Sequence, residues 1–308
     1  MKRKIKKKPI IILILVVVAL IFGIIYLVKT INYHKTYDYK LGEIGYTKEE
    51  ITNLKKLDNT SLDYLLTISY SKQIPILVNE KYFMEKNLKK YINYLDKNSN
   101  LTDVVAIINV GSNNEWYSNT TKTDLTKGHS LLTNKFYYLD NSYNTENMVS
   151  VSKQYSYGEN QMVTSETYNA FLEMFKAAKD QDLTLIINSS YRSYEDQEEI
   201  YNDFKNSRGI EYADKIAARA GYSEHQTGLA IDIMNNKELY IDEKDTKKEY
   251  EWLINNSYKY GYILRYPKEK EHITGYIFED WHFRYFGERL ATELYNSKLT
   301  YEEYLAKK

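Results

Sequence analysis

The chain has 308 residues, 43% hydrophobic and 27% charged, enough for one large or two modest globular domains and unlike a disordered or low-complexity protein. Its formal charge is zero, but setting aside the six basic residues within the first eight leaves 36 Lys and Arg against 42 Asp and Glu. The mildly acidic remainder excludes a broad electrostatic footprint for nucleic acid, and the absence of cysteine excludes disulfides and thiolate metal ligands.

Residues 1–8, MKRKIKKK, form a basic tail, and Pro9 to Val28 then runs 20 residues without a charge. About 20 apolar residues match the thickness of a bilayer core, and the positive-inside rule keeps the basic tail cytoplasmic. The expectation is a single-pass anchor over 9–28 with the rest of the chain extracytoplasmic. A cleaved signal peptide would carry a shorter apolar region, roughly 7 to 15 residues, closed by a small-x-small site that is not found here. Residues 29–46 read as a polar spacer.

The stretch 47–102 reads as a small helical region. Ile51, Leu54 and Leu57 fall at helical spacing, as do Tyr91, Tyr94 and Leu95, with Asp58, Asn59 and Pro75 as turn residues between them. It carries no constellation of catalytic residue types. The β-branched run Val104 to Val110 predicts a buried strand, followed by the turn Gly111-Ser112-Asn113-Asn114, and a second domain is expected over 103–308.

Within that domain Thr167 to Asp180 predicts an amphipathic helix, because Tyr168, Phe171, Leu172 and Phe175 repeat at three and four. A strand is expected over Leu183 to Ile187. A helix follows over Tyr194 to Lys205, with Ser193 as N-cap and Asp196 in the capping-box position. Another helix precedes Gly221, a strand covers Leu229 to Met234, and a helix ends near Gly261. A strand-like run around Tyr276 to Tyr285 and closing helices complete the chain. Strands and helices mix without a regular βαβ period, so the class is α+β.

Five histidines can be weighed one by one: His34, His129, His225, His272 and His282. His225 stands in Ser223-Glu224-His225-Gln226-Thr227-Gly228, ahead of the strand. Period-2 alternation there sets Leu229, Ile231 and Ile233 on one face and Ala230 and Asp232 on the other. Gly228 can bend the chain so that the His225 imidazole and the Asp232 carboxylate converge. A second cluster, Glu279-Asp280-Trp281-His282-Phe283-Arg284-Tyr285, supplies another histidine and two acids. Two histidines, one carboxylate and a water make a catalytic zinc set, in which the water's pKa falls toward about 7 and a peptide carbonyl is polarised. Spacing alone leaves the general base open. In an ideal strand Asp280 shares a face with His282 and Glu279 with Trp281, whereas a turn would bring Glu279 near His282. A third element, Ser189-Ser190-Tyr191-Arg192-Ser193-Tyr194, places Arg192 at a helix start, where it can clamp a carboxylate.

Over roughly Asp103 to Leu294 these residues resemble the peptidase group containing VanY-type D-alanyl-D-alanine carboxypeptidases, related L,D-carboxypeptidases and D-Ala-D-Ala dipeptidases. Ser223, His225 and Asp232 match that group's S-x-H-x6-D motif, Glu279, Trp281 and His282 its E-x-W-H motif, and Tyr191, Arg192 and Ser193 its Y-R-S motif. Three linked motifs in the same order are far more specific than one. The resemblance implies a hedgehog/D-Ala-D-Ala-peptidase-like domain with a central antiparallel sheet and one zinc ion held by His225, Asp232 and His282. It implies Glu279 as catalytic base, and Arg192 as oxyanion stabiliser or substrate ligand. Ser223, Gln197 and Tyr191 are implied as substrate contacts.

The partner implied is the peptidoglycan stem peptide ending in D-Ala. The alternatives are L,D-carboxypeptidase action on tetrapeptide stems and a non-catalytic, zinc-containing wall-binding module. Many relatives have Pro where this chain has Asp280, whose like charge is expected to raise the pKa of Glu279 or of the bound water. His272 is not expected as a fourth ligand, because water needs an open position.

Overall fold

The computed structural model describes residues 7–235 and 247–307. The chain divides into two compact units, Met1–Val105 and Ala106–Lys308.

The first unit opens with a helix over Lys7–His34, of which Ile12–His34 is long and apolar enough to cross a membrane, a property that spans share with signal sequences. Leu13, Leu15, Leu20, Phe22 and Tyr26 are more than half exposed among the described residues, an apolar surface suited to lipid. The expected anchor lies within this helix, while residues 1–6 of the expected basic tail fall outside the described residues. The expected spacer is helical. The first helix continues to His34, and a second runs over Tyr37–Ile44, started by Thr36, whose hydroxyl accepts from the Tyr39 N–H.

Short helices follow over Lys48–Leu54, Asn59–Leu65, Ile74–Leu77 and Leu88–Tyr94. Thr47 with Glu50 and Asp58 with Ser61 cap the first two, and Leu41, Leu54, Leu62, Leu65 and Ile74 meet in their apolar core. Pro75 sits in the first turn of its helix, where no N–H is missed, rather than between helices.

The strand expected over Val104–Val110 is a helix, Leu101–Val110. A short apolar run does not by itself distinguish the two periods, and the side-chain oxygen of Asn100 accepts from the N–H groups of Thr102 and Asp103 as a helix cap does.

The second unit mixes helix and sheet, in line with the expected class. Two small ladders come first: β1 (Thr121–Lys122) pairs parallel with β2 (Tyr137–Tyr138), and β3 (Met148–Ser150) antiparallel with β4 (Met162–Thr164). A four-stranded antiparallel sheet then joins β5 (Ile186–Ser189), β6 (Ala230–Met234), β7 (Tyr262–Tyr266) and β8 (Glu279–Tyr285) in the order β5-β6-β8-β7. Ile187, Ile231, Ile233 and Phe283 line one face, in a core with Phe171, Met174 and Ala178 of the helix Ser165–Lys179 and Trp252 and Leu253 of the helix Lys247–Asn256. Fully burying each Ile, Leu, Phe or Met among them is worth roughly 1.5 to 3 kcal/mol.

The strands of this sheet differ in part from expectation. β5 begins at Ile186, because Leu183 follows a turn through Asp182 at φ 58°, and β7 has no counterpart in the sequence reading. β7 is five residues long with an arginine inside it, so neither alternation nor length marks it. The expected helix end at Gly261 holds: its φ is 84°, and a Cβ there would lie 2.6 Å from the Tyr285 ring, so only glycine fits. The strand-like run begins at Glu279, Tyr276 instead following the short helix Glu271–Thr274.

Candidate metal centre

The site lies on the other face of the sheet. His225 belongs to a single 3-10 turn, Glu224–Thr227, whose start is capped by the Ser223 hydroxyl accepting from the His225 N–H. Gly228 ends it in the left-handed region at φ 66° and turns the chain into β6. Alternation along β6 sends Ile231 to the apolar core and Asp232 to the site, and Asp232 pairs in register with His282 of β8.

Three donor atoms converge. His225 Nε2 is 3.4 Å and His282 Nδ1 is 3.3 Å from Asp232 Oδ1, and one ligand atom from each residue lies within 4.8 Å of the others. The imidazole planes stand at 89°. The far nitrogens are engaged too: His225 Nδ1 lies 2.6 Å from the Ser190 carbonyl, and His282 Nε2 lies 3.3 Å from Glu224 Oε2. An N–H directed at each acceptor leaves a lone pair on His225 Nε2 and on His282 Nδ1 facing Asp232, the arrangement of metal-ligating histidines. Asp232 Oδ1 is buried with no hydrogen-bond partner, a state that costs free energy in an empty protein and is relieved by a cation. Two histidines and a carboxylate suit one zinc ion with an open position.

Glu279 Oε2 lies 3.6 Å from His282 Nδ1. Spacing left Glu279 and Asp280 open, the resemblance named Glu279, and the strand pairing sets Glu279 beside His282. Leu264 pairs with Phe283 and Tyr266 with Glu279, so two steps along β7 match four along β8, and the irregularity turns Glu279 toward the metal face.

Electrostatics follow from burial. Burial, with Arg192, lowers the His225 pKa to about 4, so its ring is neutral at physiological pH. Burial also lowers that of His282, but the Asp232 and Glu224 carboxylates beside it outweigh this and raise it to about 9 in the metal-free protein. Burial pushes Glu279 up to about 7, against His282 and with Asp232 adding to the rise. Asp232 and Glu224 are like charges that add to the rise of Glu279. For Asp232 burial acts upward, but the two histidines and Arg192 hold it well below the usual carboxylate range.

A cavity of about 340 Å³ opens onto the three donors, with Arg192, Gln197, Ser223 and Glu279 on its wall together with the apolar Ile200, Phe204 and Ile216. Arg192 Nη2 donates to Asp232 Oδ2 at 3.0 Å and Nη1 to Gln197 Oε1 at 3.3 Å, while Ser189 accepts from the same guanidinium. The structure therefore gathers Arg192, Gln197, Ser223, His225, Asp232, Glu279 and His282. It does not bring Tyr191 to the cavity wall, and His34, His129 and His272 are likewise absent from it. Sequence reasoning missed Glu224, Arg265, Arg284 and Glu302. The first stands inside a quoted motif beside His225 and the third two residues after His282, but the other two carry no local signal.

Residues 160–288, which include every site residue named above except Glu302, match the family described as VanY, D-alanyl-D-alanine carboxypeptidase. The Bacillus subtilis (strain 168) protein YodJ, named as a carboxypeptidase, is 38% identical over 185 residues, 57% of this chain and 66% of its own length. The solved LdcB LD-carboxypeptidase is 35% identical with a TM-score of 0.56, over 62% of this chain and 91% of that one. A vancomycin-resistance D,D-pentapeptidase, VanY, solved in complex with Zn(II), is 31% identical with a TM-score of 0.50, over 57% of this chain and 98% of that one. The chain spans between 52% and 66% of the length of three curated relatives, YodJ among them.

Proposed function

The chain belongs to the VanY family of D-alanyl-D-alanine carboxypeptidases, and on that premise we propose that it is a zinc carboxypeptidase releasing the terminal D-alanine of peptidoglycan stem peptides. The observation that carries this is the unpartnered Asp232 Oδ1 between two correctly turned imidazoles, with a buried carboxyl, Glu279, beside them. Zinc, when bound, supplies a Lewis acid for the scissile carbonyl and lowers the pKa of water. The chain's own residues do the rest. Glu279, raised to about 7, takes a proton at Oε2 and returns it to the leaving amine, since a pKa near the working pH suits both transfers. Arg192, on the cavity wall, offers N–H groups to the developing oxyanion or the substrate carboxylate, and Gln197 and Ser223 contact the peptide. Tyr191 would act from outside the cavity wall.

In the same reading residues 9–28 are the anchor, 103–308 the catalytic domain with the peptidase group's central antiparallel sheet, and the catalytic unit lies outside the cytoplasm with its substrate. A second reading, L,D-carboxypeptidase action on tetrapeptide stems, is favoured by the greater likeness to LdcB than to the D,D-pentapeptidase.

The test gives the full chain in detergent two synthetic stem peptides, one ending in D-Ala-D-Ala and one in L-Lys-D-Ala, and measures D-alanine released with and without chelator. Chelator-sensitive release supports the proposal, and the preferred peptide decides between D,D and L,D action. No release from either peptide by a folded, zinc-bound chain would leave the wall-binding module standing.

A further inference from the structure

Behind His282 lies a group of four buried charges. His282 Nε2 meets Glu224 Oε2 at 3.3 Å, and Glu224 Oε1 accepts from Arg265 Nε at 2.9 Å and Arg284 Nη1 at 3.1 Å. Arg265 then reaches Glu302 with two parallel bonds, Nη1 to Oε2 at 2.9 Å and Nη2 to Oε1 at 2.5 Å. Glu224, Arg265, Arg284 and Glu302 are 1%, 2%, 0% and 5% exposed. Two carboxylates balance two guanidinium groups, so Glu224 stays ionised in spite of its depth. Sequence-distant segments add to the cluster: Arg284 Nη2 donates to the carbonyls of His129 and Leu131, and Glu302 Oε1 accepts from Asn134 Nδ2. Glu302 lies in the last helix, Tyr301–Ala306, and both that helix and residues 129–134 fall outside the segment 160–288 that matches the family.

We propose that Glu302 and Glu224 are positioning residues of the metal centre, acting through Arg265 to hold the His282 ring with Nδ1 toward the metal, so that the C-terminal helix completes the site. This rests on the zinc reading above. A buried ion cluster is a poor source of stability, because a well-packed apolar replacement does as well or better, so its presence needs another reason. That reason is at its end. Metal-ligating histidines hand their second N–H to a carboxylate or carbonyl that fixes tautomer and ring plane. His225 uses a backbone carbonyl, Ser190, for this purpose, whereas His282 uses a side chain that itself needs two arginines to remain charged.

The experiment compares the full-length wild-type chain with Glu224→Gln, Glu302→Gln and Tyr301→Phe. The last removes the hydroxyl bond from the same helix to the Ser130 carbonyl without touching a charge. Zinc affinity by chelator competition, the cobalt(II) absorption spectrum, kcat and KM at saturating zinc, and Tm are read for each. Glu224→Gln should weaken zinc about 10- to 100-fold, and Glu302→Gln about tenfold, both shifting the cobalt spectrum and lowering kcat more than KM. Tyr301→Phe should lower Tm alone. Zinc affinity and spectrum for Glu302→Gln that match wild type or Tyr301→Phe overturn the proposal and leave the peptidase reading intact. A wild-type chain that binds no zinc overturns both. Should the charge variants fail to fold, ¹⁵N NMR of the zinc-loaded wild type decides: a slowly exchanging proton on His282 Nε2 supports the relay, and zinc on Nε2 overturns it.

Discussion

On one face of the four-stranded sheet Ile187, Ile231, Ile233 and Phe283 pack against two helices, while on the other, one residue along the same strands, Asp232, His282 and Arg284 are equally withdrawn from water. The first face gains free energy with every apolar group it buries. The second loses several kcal/mol for each ion taken from water and recovers it only through close pairing. Neighbouring positions of one strand thus answer to opposite rules, and the depth of a side chain does not by itself tell what it is for. Partners do: the apolar residues have interchangeable neighbours, whereas Asp232 has one oxygen on Arg192 and one with no protein partner.

The contrast predicts which changes remove activity and which remove stability. The largest effect is expected for Glu279→Ala, whose turnover should fall about 10²- to 10⁴-fold in the D-alanine release assay. Its stability should move the other way. Glu279 is raised from 4.5 to about 7, so the folded state holds a proton that the unfolded state has lost between those values, and stability falls as pH rises through that window. Denaturant melts of the metal-free protein at pH 7.5 should therefore show the alanine variant no less stable than wild type. A clear loss of stability there would place Glu279 on the structural side of the comparison.

Next in size is Phe283→Ala, adjacent to His282 but facing the core, expected to cost about 3 to 5 kcal/mol by denaturant titration. Its kcat, measured well below the new melting point, should stay within a few-fold of wild type.

Zinc loading gives a smaller but cleaner signal. In the metal-free protein His282 is raised to about 9 and carries a proton on the site at pH 7, whereas His225, lowered to about 4, is already neutral. Zinc needs both rings neutral, so calorimetry in buffers of different ionisation enthalpy should show about one proton released per zinc at pH 7, and affinity falling as pH drops below about 9. No proton release would mean that the carboxylates do not charge His282.

The smallest change is Ser193→Ala, which removes one half of the capping box on the helix Tyr194–Arg208 and should cost about 1 kcal/mol in a melt while zinc affinity is unchanged.

Much of this was legible before any coordinates. Ser193 and Asp196 mark a helix start because a cap is a local hydrogen bond between residues three apart. Gly261 marks an end because only glycine takes its φ without a clash. Alternation along β6 put Asp232 opposite the apolar stripe, and the resemblance singled out the histidines that meet it. Period failed at Val104–Val110, where an unbroken apolar run fits strand and helix alike, and at β7, whose Tyr-Ile-Leu-Arg-Tyr run does not alternate.

The sequence by itself determined residue type, local capping and the face on which each strand residue falls, because these depend on neighbours a few positions away. Spacing left Glu279 and Asp280 open and the resemblance named Glu279; the tertiary structure supplied the physical reason that Glu279 lies beside His282, a pairing irregularity between β7 and β8. It alone joined Glu224 to Arg265 and Glu302, whose contacts are set by how distant segments pack and leave no trace in local spacing.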